Sequence, residues 1–193
     1  MAVKNKKIWL HLGCGKRNIP GFINVDLAGF PHIHHRRPVD DLSVFKNKSA
    51  DLIYASHVFE YFDRVEAARV LEEWRRVLKP GGVLRIAVPD FESIIKVYLK
   101  YQKNLDHRGI LGPLYGRMEI KNQRGKKLIY HRTVYDFKSL KKLLQTAGFS
   151  KIRRYDWRKT IHKDYDDASQ AYIPHMDKKR GILISLNVEA QRL

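Results

Sequence analysis

Four features with chemical potential stand directly after short apolar runs. Ile8 to Leu12 leads into Gly13-Cys14-Gly15, and Phe22 to Val25 leads into Asp26. Glycines let the backbone bend sharply and let a ligand approach its amides. A carboxylate one strand away can accept hydrogen bonds from both hydroxyls of a ribose, as in dinucleotide-binding folds. Ala50 to Ser56 leads into His57, and Val83 to Val88 leads into Pro89-Asp90. An imidazole titrates near neutrality, so His57 could take a proton from a hydroxyl. Asp90 offers a second base or a substrate anchor. Glu60, three residues after His57, would sit with it near the reacting centre beyond the strand end, or only start or brace the next element. His32, His34 and His35 form an HxHH pattern that could bind metal, but no nearby acid or cysteine completes a set. With Arg36 and Arg37 they read as a solvated loop.

These groups work together only if the strands before them are parallel neighbours. Ligands of open α/β sheets then lie beyond the carboxyl ends of the strands. Ala50 to Ser56 suits a buried parallel strand. Asp63 to Leu78 reads as a helix, with Asp63 and Glu66 as a capping box. Ala67, Val70, Leu71, Trp74, Val77 and Leu78 recur at helical spacing and make one buried face. Pro80-Gly81-Gly82 should end that helix, and Val83 to Val88 should form the next strand. Phe91 to Asn104 reads as a helix. Phe137 to Ala147 reads as another, capped by Asp136 and closed by Gly148. Ile152 to Trp157 and Ile182 to Val188 would pair as a closing hairpin. The first two crossovers, Lys16 to Gly21 and Leu27 to Pro38, are short for the helix that a parallel connection usually carries. One sheet edge would then be thinly covered, and a homodimer would bury it.

Three stretches taken together, Trp9 to Asp26, Asp51 to His57 and Val77-Leu78-Lys79-Pro80-Gly81-Gly82-Val83-Leu84-Arg85-Ile86, resemble the class I S-adenosylmethionine (SAM) dependent methyltransferases. The likeness runs from Ile8 to roughly Phe149. It is nearest to the small methyltransferases encoded among polysaccharide-biosynthesis genes. It implies a Rossmann-like, seven-stranded, mostly parallel α/β sheet with a C-terminal antiparallel hairpin and shortened first crossover helices. It also implies SAM as cofactor, with the amides of Gly13, Cys14 and Gly15 at its carboxylate and Asp26 at its ribose. Val39-Asp40-Asp41-Leu42 resembles the adenine-contacting motif of that fold. There one acid, Asp40 or Asp41, would accept from the exocyclic amine and the Leu42 amide would donate to the ring. His57 would serve as base or line the cofactor pocket. By the same likeness, His131 would face the acceptor.

Composition bounds the rest. The chain of 193 residues suits one domain, 1–193, with its own core. No apolar run reaches the roughly 20 residues of a membrane span. The basic start, MAVKNKK, lacks the apolar stretch of a signal peptide. A single cysteine fits a reducing cytoplasm. The formal charge of +18 is uneven, net +5 over residues 1–99 and +13 over 100–193. Such a field attracts an anionic small molecule or glycan, or nucleic acid. A glycine-broken insertion at 105–130, charged by Arg117, Lys121, Arg124, Lys126 and Lys127, and a loop at 158–181 would supply acceptor contacts. There is no Asn/Asp-Pro-Pro-aromatic motif after Ser56, no cysteine outside the bend and no carboxylate cluster for Mg²⁺. The expected reaction is therefore O-methylation of a sugar or other small hydroxylated acceptor, with His57, His131 or Asp90 as base and no metal. The alternatives are an RNA-directed methyltransferase and a non-enzymatic SAM-fold binding module.

Overall fold

The computed structural model describes residues 7–101, 103–105, 109–122 and 125–193, without the side chains of residues 121 and 122. Residues 1–6, Arg124 and the Lys121 side chain lie outside the described residues. In chain order the elements are β1 (Trp9–Leu12), β2 (Ile23–Asp26), β3 (His35–Arg36), β4 (Ala50–Ser56), α1 (Arg64–Val77), β5 (Leu78–Pro89), α2 (Phe91–Lys100), α3 (Leu111–Tyr115), β6 (Met118–Asn122), β7 (Gly125–Ile129), α4 (Phe137–Thr146), β8 (Phe149–Arg154), β9 (Tyr172–Ile173), β10 (Ile182–Leu183) and β11 (Ser185–Arg192). Seven strands form one sheet in the order β3-β2-β1-β4-β5-β11-β8. β1 to β5 are mutually parallel, and β11 runs antiparallel to both β5 and β8.

Successive side chains of a strand point to opposite faces. Leu10, Leu12, Ile53, Ala55, Leu84, Ile86 and Val88 share one face with the apolar stripes of α1 and α4. α1 starts where expected. Asp63 accepts from the Val65 and Glu66 amides, and Glu66 reaches back to the Asp63 amide. Trp74 is fully buried, with its indole donating to Val39 O at 2.7 Å. Asp136 and Ser139 cap α4, and Gly148 (φ +80°) closes it.

Three local expectations shift. β5 begins at Leu78, so Pro80-Gly81-Gly82 interrupts a strand rather than preceding one. The register jumps there from Ala50↔Leu78 to Leu52↔Val83, because Gly81 turns at φ +75°. α2 ends at Lys100, four residues early. The expected C-terminal antiparallel pair is present as β8 with β11, its bounds moved to 149–154 and 185–192, while Ile182 and Leu183 pair with β9 instead.

The first crossovers carry no helix. The loops 13–22, 27–34 and 37–49 connect β1 to β4. On the sheet face opposite α1, Trp9, Leu52, Tyr54 and Val83 pack with Ile19 and Phe22. The segment between β8 and β11 then folds back over this face. His162 stacks on Tyr54 at 4.0 Å between ring centroids, and the Tyr54 hydroxyl donates to Asp167 at 2.5 Å. Asn187 Nδ2 of β11 holds Ser169 O at 2.9 Å. Residues 162–169 thus cover part of this face. A groove of about 330 Å³ between residues 18–22 and 31–34 stays open beside it.

Candidate active site

The bend after β1 is a compact device. Gly13 (φ +65°) and Gly15 (φ +52°) adopt the left-handed backbone region that suits glycine. A Cβ on Gly13 would lie 2.7 Å from Val58, so the bend packs directly on the chain after β4. A Cβ on Gly15 would meet nothing within 4 Å, so that side of the bend is open. Asp26, at the tip of β2, faces it. Its Oδ2 accepts from the Gly15 amide at 2.8 Å and its Oδ1 from the Ala28 amide at 2.7 Å. Each carboxylate oxygen retains a lone pair for a further donor. His32 braces the bend from the second crossover, with Nε2 2.9 Å from Gly15 O. A histidine thus stands in for the absent crossover helix. His34 accepts from the Asn24 amide and His35 packs edge-on to Phe45, so the HxHH side chains serve backbone and packing.

The amides of the bend differ from expectation. Gly13 N donates to Val25 O at 2.9 Å, and Gly15 N is spent on Asp26. Of the three expected amides, only that of Cys14 has no partner among the described residues. The Cys14 side chain is buried, and burial with Asp26 nearby pushes its thiol up to about 12. It fills space and is no nucleophile. Leu42 is fully buried and its amide donates to Glu73 Oε1 at 2.9 Å, so a contact with adenine would require that bond to open. Asp41 is held by Ser43 and Arg37. Asp40 is exposed and has no partner among the described residues.

The second half of the edge is built around a carboxyl group that the sequence underplays. His57 follows β4 at φ +51°, an uncommon conformation costing roughly 1–3 kcal/mol. The turn lets its amide bond Ala87 O and sends its ring to Ser185 Oγ, 3.0 Å from Nε2. Its Nδ1 lies 3.4 Å from Glu60 Oε1, and His131 Nε2 lies 3.6 Å from the same oxygen. Glu60 is fully buried, and neither carboxyl oxygen has a well-formed hydrogen bond. Burial pushes its pKa up to about 8 and pushes His57 down to about 4. Burial lowers His131 as well. At neutral pH the cluster is therefore a protonated carboxyl between two neutral imidazoles. His131 Nδ1 faces Pro113 O at 2.9 Å, which requires the proton on Nδ1 and leaves Nε2 to accept from Glu60.

The same cluster seats the insertion. Glu60 O accepts from the Arg132 amide, Tyr61 OH donates to Gly116 O, and His131 N donates to Tyr115 O. A Cβ on Gly116 would overlap the His131 ring, so only glycine fits that seat. From it rises the β6–β7 pair, a two-stranded ribbon outside the main sheet. Asp90 sits at the same edge but is tied down. Its Oδ2 accepts from Ser93 Oγ at 2.9 Å and Arg154 Nη1 at 3.2 Å. Sequence reading places His57, His131 and Asp90 at one edge but misses Glu60 as the group joining the two histidines. The available signal is an acid inside the apolar run Val58-Phe59-Glu60-Tyr61-Phe62.

Comparison with known proteins agrees with this architecture. Residues 26–86 match a family model described as a methyltransferase domain. An uncharacterized protein of Methanocaldococcus jannaschii is 30% identical over 140 residues, covering 70% of this chain and 57% of that protein. The chain thus spans little more than half the length of that curated relative. Among solved structures, a SAM-dependent methyltransferase of Methanosarcina mazei aligns over 99% of this chain and 94% of its own, with a TM-score of 0.56 and 18% identity. A Burkholderia thailandensis 1,6-didemethyltoxoflavin-N1-methyltransferase, solved with its acceptor and S-adenosylhomocysteine, aligns over 96% of this chain and 70% of its own, with a TM-score of 0.54 and 14% identity.

Proposed function

We propose that this chain, which shares the fold of SAM-dependent methyltransferases, transfers a methyl group from SAM to a small hydroxylated, anionic acceptor such as a sugar. The supporting observation is the pairing of Asp26 with the glycine bend. The Gly15 and Ala28 amides fix both carboxylate oxygens beside an open side of the bend. These residues fit the adenosine half of the cofactor. Asp26 would hold the ribose hydroxyls. Asp40, the unengaged acid of its pair, would hold the exocyclic amine of adenine. Cys14 N is the one bend amide left for the carboxylate. SAM, when bound, supplies an electrophilic methyl on its sulfonium, which needs an aligned acceptor and, for a hydroxyl, removal of a proton.

His57 is the proposed base. Its side chain is 17% exposed, and Glu60 backs its Nδ1. Ser185 Oγ donates to Asn187 Oδ1, so His57 Nε2 donates to Ser185 in this arrangement. The base role requires the ring proton on Nδ1, toward Glu60, and an acceptor hydroxyl in the place of Ser185 at Nε2. The excess of Lys and Arg in 100–193 would draw an anionic acceptor to this edge. The single cysteine fits a cytoplasmic setting. The test is incubation of purified protein with labelled SAM and a panel of anionic sugars, read as a one-methyl mass shift. A labelled sugar, with the label lost in His57→Ala, supports the reading. Label appearing only on RNA overturns it.

One observation favours a second reading. One ring nitrogen of each histidine is hydrogen-bonded within the protein, His57 Nε2 to Ser185 Oγ and His131 Nδ1 to Pro113 O, and the other faces the buried Glu60. An acceptor nitrogen with a free lone pair would need no base. A methylation rate that His57→Ala leaves intact would favour nitrogen over oxygen.

A further inference from the structure

Of the seventeen exposed large hydrophobic side chains among the described residues, ten lie between 91 and 134. That span is less than a quarter of the chain, so the concentration calls for a cause. The same span carries ten Lys and Arg against three Asp and Glu, a net +7. The apolar groups are ordered on helices. Phe91, Ile95 and Leu99 stand four apart on α2, outside the face on which Ile94 and Val97 are buried. Ile95 is 42% and Leu99 58% exposed. Lys96 and Lys100 flank this stripe. α3 packs beside α2 through Ile110 and Leu114, and Leu111 and Tyr115, also four apart, stay exposed. One face of the hairpin that follows adds Met118 and Lys127, while Leu128 and Lys126, the latter paired with Glu119, lie on its other face.

We infer that α2, α3 and the β6–β7 hairpin form a surface that docks on an anionic lipid bilayer. An apolar stripe flanked by lysines suits the boundary between headgroups and acyl chains. Each cation near an anionic leaflet adds attraction, and long lysine stems can lie along apolar surface. The chemistry disfavours the other occupants. A second copy would bring +7 against +7. Single-stranded RNA binds through stacked aromatics and phosphate contacts, whereas most of these exposed groups are aliphatic. No helix among the described residues is long and apolar enough to cross a membrane, so the docking is interfacial. α2 begins directly after Asp90, so the docked surface borders the carboxyl edge of the sheet.

The test is co-sedimentation of the full chain with phosphatidylglycerol–phosphatidylcholine vesicles and with phosphatidylcholine alone. Retention by the anionic vesicles is expected, with little on the neutral ones and a decline as salt rises. The double variant Ile95→Glu/Leu99→Glu should reduce retention about tenfold or more. Lys96→Glu/Lys100→Glu should reduce it at low salt. Circular dichroism and S-adenosylhomocysteine binding of the same samples keep this test separate from folding and from the methyl-transfer reading. Absence of retention by anionic vesicles overturns the inference, as does retention unchanged in Ile95→Glu/Leu99→Glu. A dimer in light scattering that this variant dissolves, or RNA that excludes the vesicles, overturns it equally.

Discussion

Glu60 is the residue whose chemistry the fold alters most. A carboxyl group buried with two imidazoles holds its proton far into the neutral range. Its folded pKa of about 8 lies above the ordinary 4.5, so the folded protein binds the extra proton between those values. Its stabilising contribution is then complete below about pH 4.5 and is lost as pH rises through about 8. His57 works oppositely. Its pKa falls from 6.5 to about 4, so its contribution is present above 6.5 and is lost on acidification. Between pH 6.5 and 8.5 only Glu60 of this pair changes. Urea unfolding should show the wild type losing stability over that interval, while Glu60→Gln stays flat. Parallel slopes for the two proteins would show that Glu60 is already ionised at neutral pH. Glu60 is hard to read in sequence because its role arises where residues 57, 60, 113 and 131 meet, and no spacing along the chain reports that meeting. Asp26 is legible because its neighbours in space, Gly15 and Ala28, are close in sequence.

Among elements, the bend between β1 and β2 separates two uses of glycine. Gly13 has no room for a side chain, because Val58 lies where a Cβ would go. Gly15 has room but faces the side open to a ligand. Gly13→Ala should cost both left-handed strain and a steric clash, giving a fall in melting temperature of several degrees or a failure to fold. Gly15→Ala should cost only about 1–2 kcal/mol of strain while weakening the cofactor. Thermal melts paired with titration distinguish them; equal losses of stability would contradict the asymmetry. α1 and α4 are legible because caps and helical periodicity are local signals. The early start of β5 is not, since Leu78 pairs with Ala50 from twenty-eight positions earlier.

At the scale of the molecule, the sheet has a helical face and a face closed by its own late segment. That second face buries His11, Tyr54 and His162 in contact, where helices would bring aliphatic residues. Burial holds His11 and His162 down to about 4. The unfolded chain takes up protons below about 6.5 and the folded one does not, so stability should fall between pH 6.5 and 4. Circular dichroism at pH 5 should show a lower melting temperature than at pH 7, and His162→Phe should narrow the gap. A gap unchanged by the substitution would place the acid-labile group elsewhere. This closure is invisible in sequence, because residues 155–184 have no periodicity and meet the sheet through long-range ring contacts.

Calorimetric titration of the wild type and of Asp26→Ala with S-adenosylhomocysteine bears most directly on the adenosine grip of the bend and Asp26. Saturable binding is expected in the wild type, weakened by about 1–3 kcal/mol in the variant. A folded wild type that binds nothing, or a variant of equal affinity, would contradict it.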